Sequence, residues 1–210
     1  KDIPRGKGEI QRKFPQEPAI TQVRRDTVYD NVQLPAVIFA YHIPAQGTKD
    51  FYAVKMLGML LSQGESSRMQ KSLVDEQQKA VFAGSFPLEL EDRGANICFG
   101  IANLNVDVAD LEKSMDAVIQ DVQTNLITET EFQKLQNQVE NDFVSANNSV
   151  AGVAESLAQY EMYYGDASLI NNELERYRKV TREDIRAAAN KYFNSNARVV
   201  LHWLPQPVKP

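Results

Sequence analysis

Ala80–Glu91 (AVFAGSFPLELE) and Asn96–Leu104 (NICFGIANL) are two strand-like runs, and Asp92-Arg93-Gly94 lies between them. A turn signal joining two such runs predicts an antiparallel hairpin. Upstream of it the period is helical: Phe51, Val54, Leu57, Leu60 and Leu61 recur at three- and four-residue steps behind Asp50, a suitable N-cap, and Gly64 closes the run. A second helix is expected over Ser67–Gln77, with Met69, Leu73 and Val74 apolar. Further back, Thr27, Tyr29 and Val32 sit in a β-like run, and Ala36–Ile43 (AVIFAYHI) is an apolar strand closed by Pro44 and Gly47. Downstream, a helix opens at Asp107 with Leu111, Met115, Val118, Val122 and Leu126 on one face. Thr128-x-x-Glu131 is a capping box that starts another, striped by Phe132, Leu135, Val139 and Phe143. Its continuation through Val150–Tyr164 is small-residue rich (Ala151, Ala154, Ala158), which predicts close helix packing. A short helix over Leu169–Tyr177, a helix capped by Thr181-x-x-Asp184 and a last strand, Ala197–Leu204 (ARVVLHWL), complete the chain. Hairpins and runs of helices, without βαβ alternation, predict an α+β two-layer sandwich with a mainly antiparallel sheet and helices on one face.

The 210 residues suit one large domain or two small ones, able to bury roughly 70% of the unfolded surface. Residues 1–20, with Pro4, Pro15 and Pro18 and no apolar period, read as an interdomain linker or arm, and 21–210 as a single domain. The first residue is Lys1 and no signal-peptide core follows it, so the chain is expected to be a processed or excised piece. A formal net charge of -5 argues against broad nucleic-acid binding, which needs clustered Lys and Arg to neutralise phosphates. Met56–Leu61 (MLGMLL) is the most apolar short run and falls far below membrane-spanning length. The single cysteine, Cys98, rules out an internal disulfide.

No zinc motif of the HExxH or HxxEH type can be written around His42 or His202, the two histidines. Gly-rich phosphate loops and a GxSxG nucleophile elbow are absent as well. From its residues alone, then, the chain carries no catalytic constellation, metal site or cofactor site.

Leu57–Ala80 (LGMLLSQGESSRMQKSLVDEQQKA) is similar to a stretch of the pitrilysin/insulinase family of zinc metallopeptidases, with Gly64, Ser66, Ser67, Arg68, Leu73 and Ala80 on the family pattern. Thr128–Leu135 (TETEFQKL) resembles the family's helix start, and Tyr164-Gly165-Asp166 followed by Tyr177–Phe193 (YRKVTREDIRAAANKYF) resembles its C-terminal signature. The resemblance is to the C-terminal-type, non-catalytic domain. It implies one of two similar domains that face each other across a peptide-holding chamber. The zinc and the HxxEH motif then belong to an N-terminal domain outside this chain, where the metal polarises the scissile carbonyl and activates water.

In some family members the C-terminal-type domain supplies an Arg and a Tyr that hold the peptide and stabilise the oxyanion. Aligned on Leu73, those positions fall on Val74 and Val81, which offer no donor. The resemblance therefore implies the C-terminal half of an HxxEH-bearing subunit whose Arg/Tyr pair comes from a partner subunit, or a purely structural or interaction domain of an inactive member. It favours the cell envelope or periplasm as the compartment.

Arg68, Ser67 and Tyr164 are the candidate contacts to peptide substrate or partner. Each has a plainer reading: an ion pair or cap for Arg68, a helix C-cap and N-cap for Gly64–Ser67, core packing for the Tyr160, Tyr163 and Tyr164 patch. Glu89, Glu91 and Asp92 read as solvated hairpin charge that would favour basic peptides if it rimmed the chamber. His42 and His202 read as satisfied histidines within strands, and Cys98 as a small buried hydrophobe.

Overall fold

The alternation in Ala36–Ile43 is carried into space: Val37, Phe39, Tyr41 and Ile43 are buried, and the residues between them are half-covered. A period of two places one apolar set against the helices and the other on the opposite face of the sheet. The computed structural model describes Gly8 and residues 17–207. The linker expected over residues 1–20 falls largely on 1–7 and 9–16, outside the described residues.

Five strands form one sheet: β1 (Arg24–Asp30), β2 (Ala36–Ile43), β3 (Ala80–Leu88), β4 (Gly94–Ala102) and β5 (Val199–Pro205), in the order β1-β5-β2-β4-β3. The β3–β4 hairpin, β2–β4 and β2–β5 are antiparallel, and β1 runs parallel to β5. The expected α+β sandwich with helices on one face is what the chain adopts, with one parallel pair at the edge. No residue of β1 is buried. It is held by its ladder to β5 and by Arg25, whose guanidinium donates two hydrogen bonds, 2.6 and 3.0 Å, to Glu112 in the helix layer.

The helices are α1 (Lys49–Ser62), α2 (Val108–Thr124), α3 (Glu129–Ala146), α4 (Val150–Tyr164), α5 (Glu173–Arg178) and α6 (Arg182–Tyr192), with a π-helical turn at Gln70–Glu76 and a 3-10 segment at Ala167–Asn172. The core lies between the sheet and α1, α2 and α6, where Val54, Leu61, Leu111, Met115, Ile185 and Ala189 are fully buried. Both capping boxes form, Thr128 with Glu131 and Thr181 with Asp184, because each satisfies two otherwise unpaired helix N–H groups.

Four expectations change. The N-cap of α1 is Thr48 and not Asp50, whose carboxylate is drawn to Lys191 and Tyr192 on α6 at 2.6 and 2.7 Å. The Ser67–Gln77 helix is largely π-helical, with the Gln77 N–H reaching the Ser72 carbonyl. α4 does not continue α3: the chain breaks at Asn147, and Gly152 lies so near the end of α3 that a Cβ there would meet the Ala146 carbonyl oxygen at 2.0 Å. The close packing expected of α4 is also absent, since none of its residues is buried. Its alanines sit on a helix that contacts mainly the 3-10 segment.

Candidate functional site

Among the described residues, no helix covers the second face of the sheet. Register places Ile38, Ile97, Phe99, Ile101 and Leu201 on it together, because each is paired with or adjacent to the others across β4, β2 and β5. Phe82 and Phe86 of β3 extend it toward the edge and are 52% and 44% exposed. Their rings gather on Phe99, with centroids 5.6 and 6.0 Å away. At the other side Trp203 and Val28 continue the same face. A soluble domain seldom leaves so much contiguous apolar sheet bare unless something covers it.

The residues singled out from the sequence do not converge there. Arg68 is two-thirds of a latch inside the helix layer: its Nε and Nη2 donate to the two Glu131 oxygens at 2.9 and 3.0 Å, and Nη1 pairs with Asp121 on α2. A guanidinium forked onto one carboxylate and shared with a second has little left to offer a peptide. Burial of Glu131 opposes its ionisation, yet the bonds from Arg68 and from the Thr128 backbone and hydroxyl outweigh this and hold the carboxyl at about 2.

The linkage has a definite sign. A carboxyl depressed below its ordinary 4.5 stabilises the fold fully above that value, and the contribution is lost as pH falls from about 4.5 toward 2. Glu131→Gln is expected to cost about 1–2 kcal/mol at pH 7, after allowance for solvent screening of a partly exposed pair. Urea unfolding at a series of pH values checks this. The deficit should shrink steadily below pH 4.5, and a constant deficit down to pH 3 would assign it to the lost cap alone.

Ser67 is 2% exposed, with its hydroxyl turned inward and no hydrogen-bond partner among the described residues. Val74 is half-buried in the π-helical turn against the core, and Val81 stands 45% exposed at an irregularity where β3 slips register between Ala80 and Phe82. Neither side chain carries a donor. Tyr164, by contrast, lines a cavity under α4 together with Tyr160, Tyr177, Glu89 and Glu173.

The remaining polar groups belong to the frame. His202 Nε2 lies 2.8 Å from Glu112, which also receives Arg25 and stands 3.8 Å from Arg198. His42 Nε2 is 3.5 Å from the Glu17 carboxylate at the strand end. Cys98 is fully buried beside Ser85 and Asn96, and burial pushes its thiol up to about 12, outside nucleophilic use. Among the described residues no three His, Cys, Asp or Glu side chains converge as metal ligands, and no helix is long and apolar enough to cross a membrane.

The family described as the peptidase M16 inactive domain matches residues 1–139. The chain is similar to the zinc protease PqqE of Helicobacter pylori, with 28% identity over 193 residues, which make up 91% of this chain and 43% of that protein. It superimposes on the crystal structure of a protease from Helicobacter pylori with a TM-score of 0.88 and 26% identity, over 96% of this chain and 48% of the other. The peptidase M16 inactive domain from Pseudomonas fluorescens shares the fold at a TM-score of 0.81 and 16% identity, over 97% of this chain and 48% of that one. The chain spans less than half the length of each of these relatives. With a sheet-and-helix frame that superimposes on theirs and a family match over most of its length, the chain belongs to the peptidase M16 inactive domain family.

Proposed function

We propose that this chain is the non-catalytic domain of a zinc metallopeptidase, that it docks through the bare face of its sheet, and that it forms one wall of a peptide-binding chamber. The observation that supports this most is the apolar face built from Ile38, Ile97, Phe99 and Leu201, flanked by Phe86 and Trp203. Such a surface is the kind that folds against another domain. The relatives are about twice as long as this chain, so a partner of similar size is available within one polypeptide. Zinc and the water-activating glutamate would reside on that N-terminal domain. The donors that Val74 and Val81 do not supply would come from an Arg/Tyr-bearing partner subunit.

The test uses the parent polypeptide and this chain side by side. The parent should hold one zinc ion per molecule by elemental analysis and cleave peptides, and this chain should do neither. Ile97→Asp should leave the isolated chain folded at a cost of about 1–3 kcal/mol, since the side chain is partly covered but lies outside the core between sheet and helices. In the parent the same change should loosen the domains to limited proteolysis and lower peptide hydrolysis at least about tenfold, through a charge buried without a partner. A parent that binds no zinc would make this chain part of a structural subunit instead.

A further inference from the structure

On the opposite side of the sheet, α4 roofs a cavity of about 320 Å³ whose other walls come from α1, α3, α5 and the end of β3. Three carboxylates face it, Glu89, Asp142 and Glu173, against one ammonium, Lys55. Lys55 is committed to Glu89 at 2.9 Å. Glu173 is held by a phenol, the Tyr52 hydroxyl donating at 3.2 Å, and its nearest cation, Arg176, stands off at 3.9 Å. Asp142 accepts from the neutral amide of Gln63 at 3.0 Å. Two carboxylates thus face the cavity without a cation in hydrogen-bonding contact.

The rest of the lining is aromatic and apolar. The Tyr160 and Tyr164 rings lie 5.7 Å apart and tilted, with Tyr177 behind them. Tyr164 is seated on the turn before α1: a Cβ at Gly47, whose φ is +80°, would come within 2.6 Å of its ring. Burial first, and then the charge of Glu173, raises the Tyr160 phenol far above its usual range, so the rings remain neutral and the carboxylates carry the charge of the site. Met59, Val139 and Phe143 supply a wall for an aliphatic stem.

Aromatic faces beside unneutralised carboxylates recognise organic cations, through ring quadrupole and charge-assisted hydrogen bonds together. A metal ion is a poor fit, because no three ligating side chains converge there or elsewhere among the described residues. We propose that this cavity binds the side chain of a lysine or arginine in a peptide, with Glu173 and Asp142 taking the charged head and the Tyr160 and Tyr164 rings beside it. The site lies on the helix side and does not depend on the docking face.

The isolated chain is titrated, by calorimetry or NMR, with the capped pentapeptide acetyl-Ala-Ala-Arg-Ala-Ala-amide and with its norleucine counterpart. The arginine peptide should bind at least about tenfold more tightly, with the preference falling as salt rises. Glu173→Gln and Asp142→Asn should each reduce that preference about 3- to 10-fold, whereas Glu91→Gln, on the exposed hairpin, should leave it unchanged. Thermal melts identify any variant that has lost its fold, and if Glu173→Gln is one, Asp142→Asn decides. Equal affinity for the two peptides, or an arginine preference that survives in the folded amide variants, would overturn the proposal. Because the readout is binding by this chain alone, it is settled whatever the zinc content of the parent.

Discussion

Arg198→Ala is expected to lower the unfolding free energy by about 3–5 kcal/mol, the usual cost of breaking a buried charge pair from one side. Arg198 is 2% exposed, immediately before β5. Its Nη2 donates to Asp116 on α2 at 2.8 Å, its Nη1 pairs with the same carboxylate, and Nη1 also donates to the Tyr41 hydroxyl at 3.0 Å. The guanidinium lies 3.9 Å over the Phe39 ring. Burial works against the charge, but Asp116 and the Tyr41 oxygen outweigh it and keep the group firmly protonated.

Alanine would remove the packing on Phe39, leave the Tyr41 hydroxyl without its partner and strip Asp116 of its counter-ion. Arg198→Lys keeps a charge but cannot fork onto a carboxylate or lie flat on a ring, and should fall between the two. Urea unfolding at pH 7 checks both variants. An alanine deficit below about 1 kcal/mol would show that Asp116, itself partly exposed, is repaid by water.

Phe193→Ala is expected to cost a similar amount, about 3–5 kcal/mol, by a different mechanism. Phe193 closes the C-terminal end of α6, is 1% exposed, and stacks on Tyr41 with ring centroids 4.9 Å apart. Its carbonyl accepts from Gln123 of α2 at 3.0 Å, and that anchor keeps the backbone from collapsing into the space left by the ring. The cost is therefore a transfer term plus a cavity that cannot close. Phe193→Leu should lose about half as much or less. Since Arg198 and Phe193 both rest on Tyr41, the double variant should lose less than the two single losses added together, and a double-mutant cycle in urea measures that shortfall.

Much of this frame is legible along the chain because it depends on neighbours in sequence. Both capping boxes, the alternation of Ala36–Ile43, the helical stripe of α2 and the β3–β4 hairpin are local codes, each set by steric and hydrogen-bonding preferences within a few residues. The lack of a metal motif and of a nucleophile elbow can be read in the same way. The α3–α4 boundary misleads, because small residues permit close packing without compelling it. What stops α3 is the turn at Asn147, and what leaves α4 without a buried residue is that it faces a cavity and the 3-10 segment in place of a packed core.

The candidate contacts show where local reading ends. Arg68 lies 63 positions from Glu131 and 53 from Asp121, and only folding reveals that its charge is spent between them. Tyr164 meets Glu89 and Glu173 in one cavity although Glu89 lies 75 positions before the tyrosine.

The sequence by itself determined the strands, the two capping boxes, the places of most helices and the class of this domain, since these follow from period and short-range geometry. Tertiary structure alone decided that no helix among the described residues covers one face of the sheet, that Arg68 and Arg198 pair with carboxylates distant in sequence, and that acids and tyrosines from separate elements share a cavity. The physical reason is that burial and electrostatic pairing are set by distances in space. Such distances exist only once the helices have packed onto the sheet.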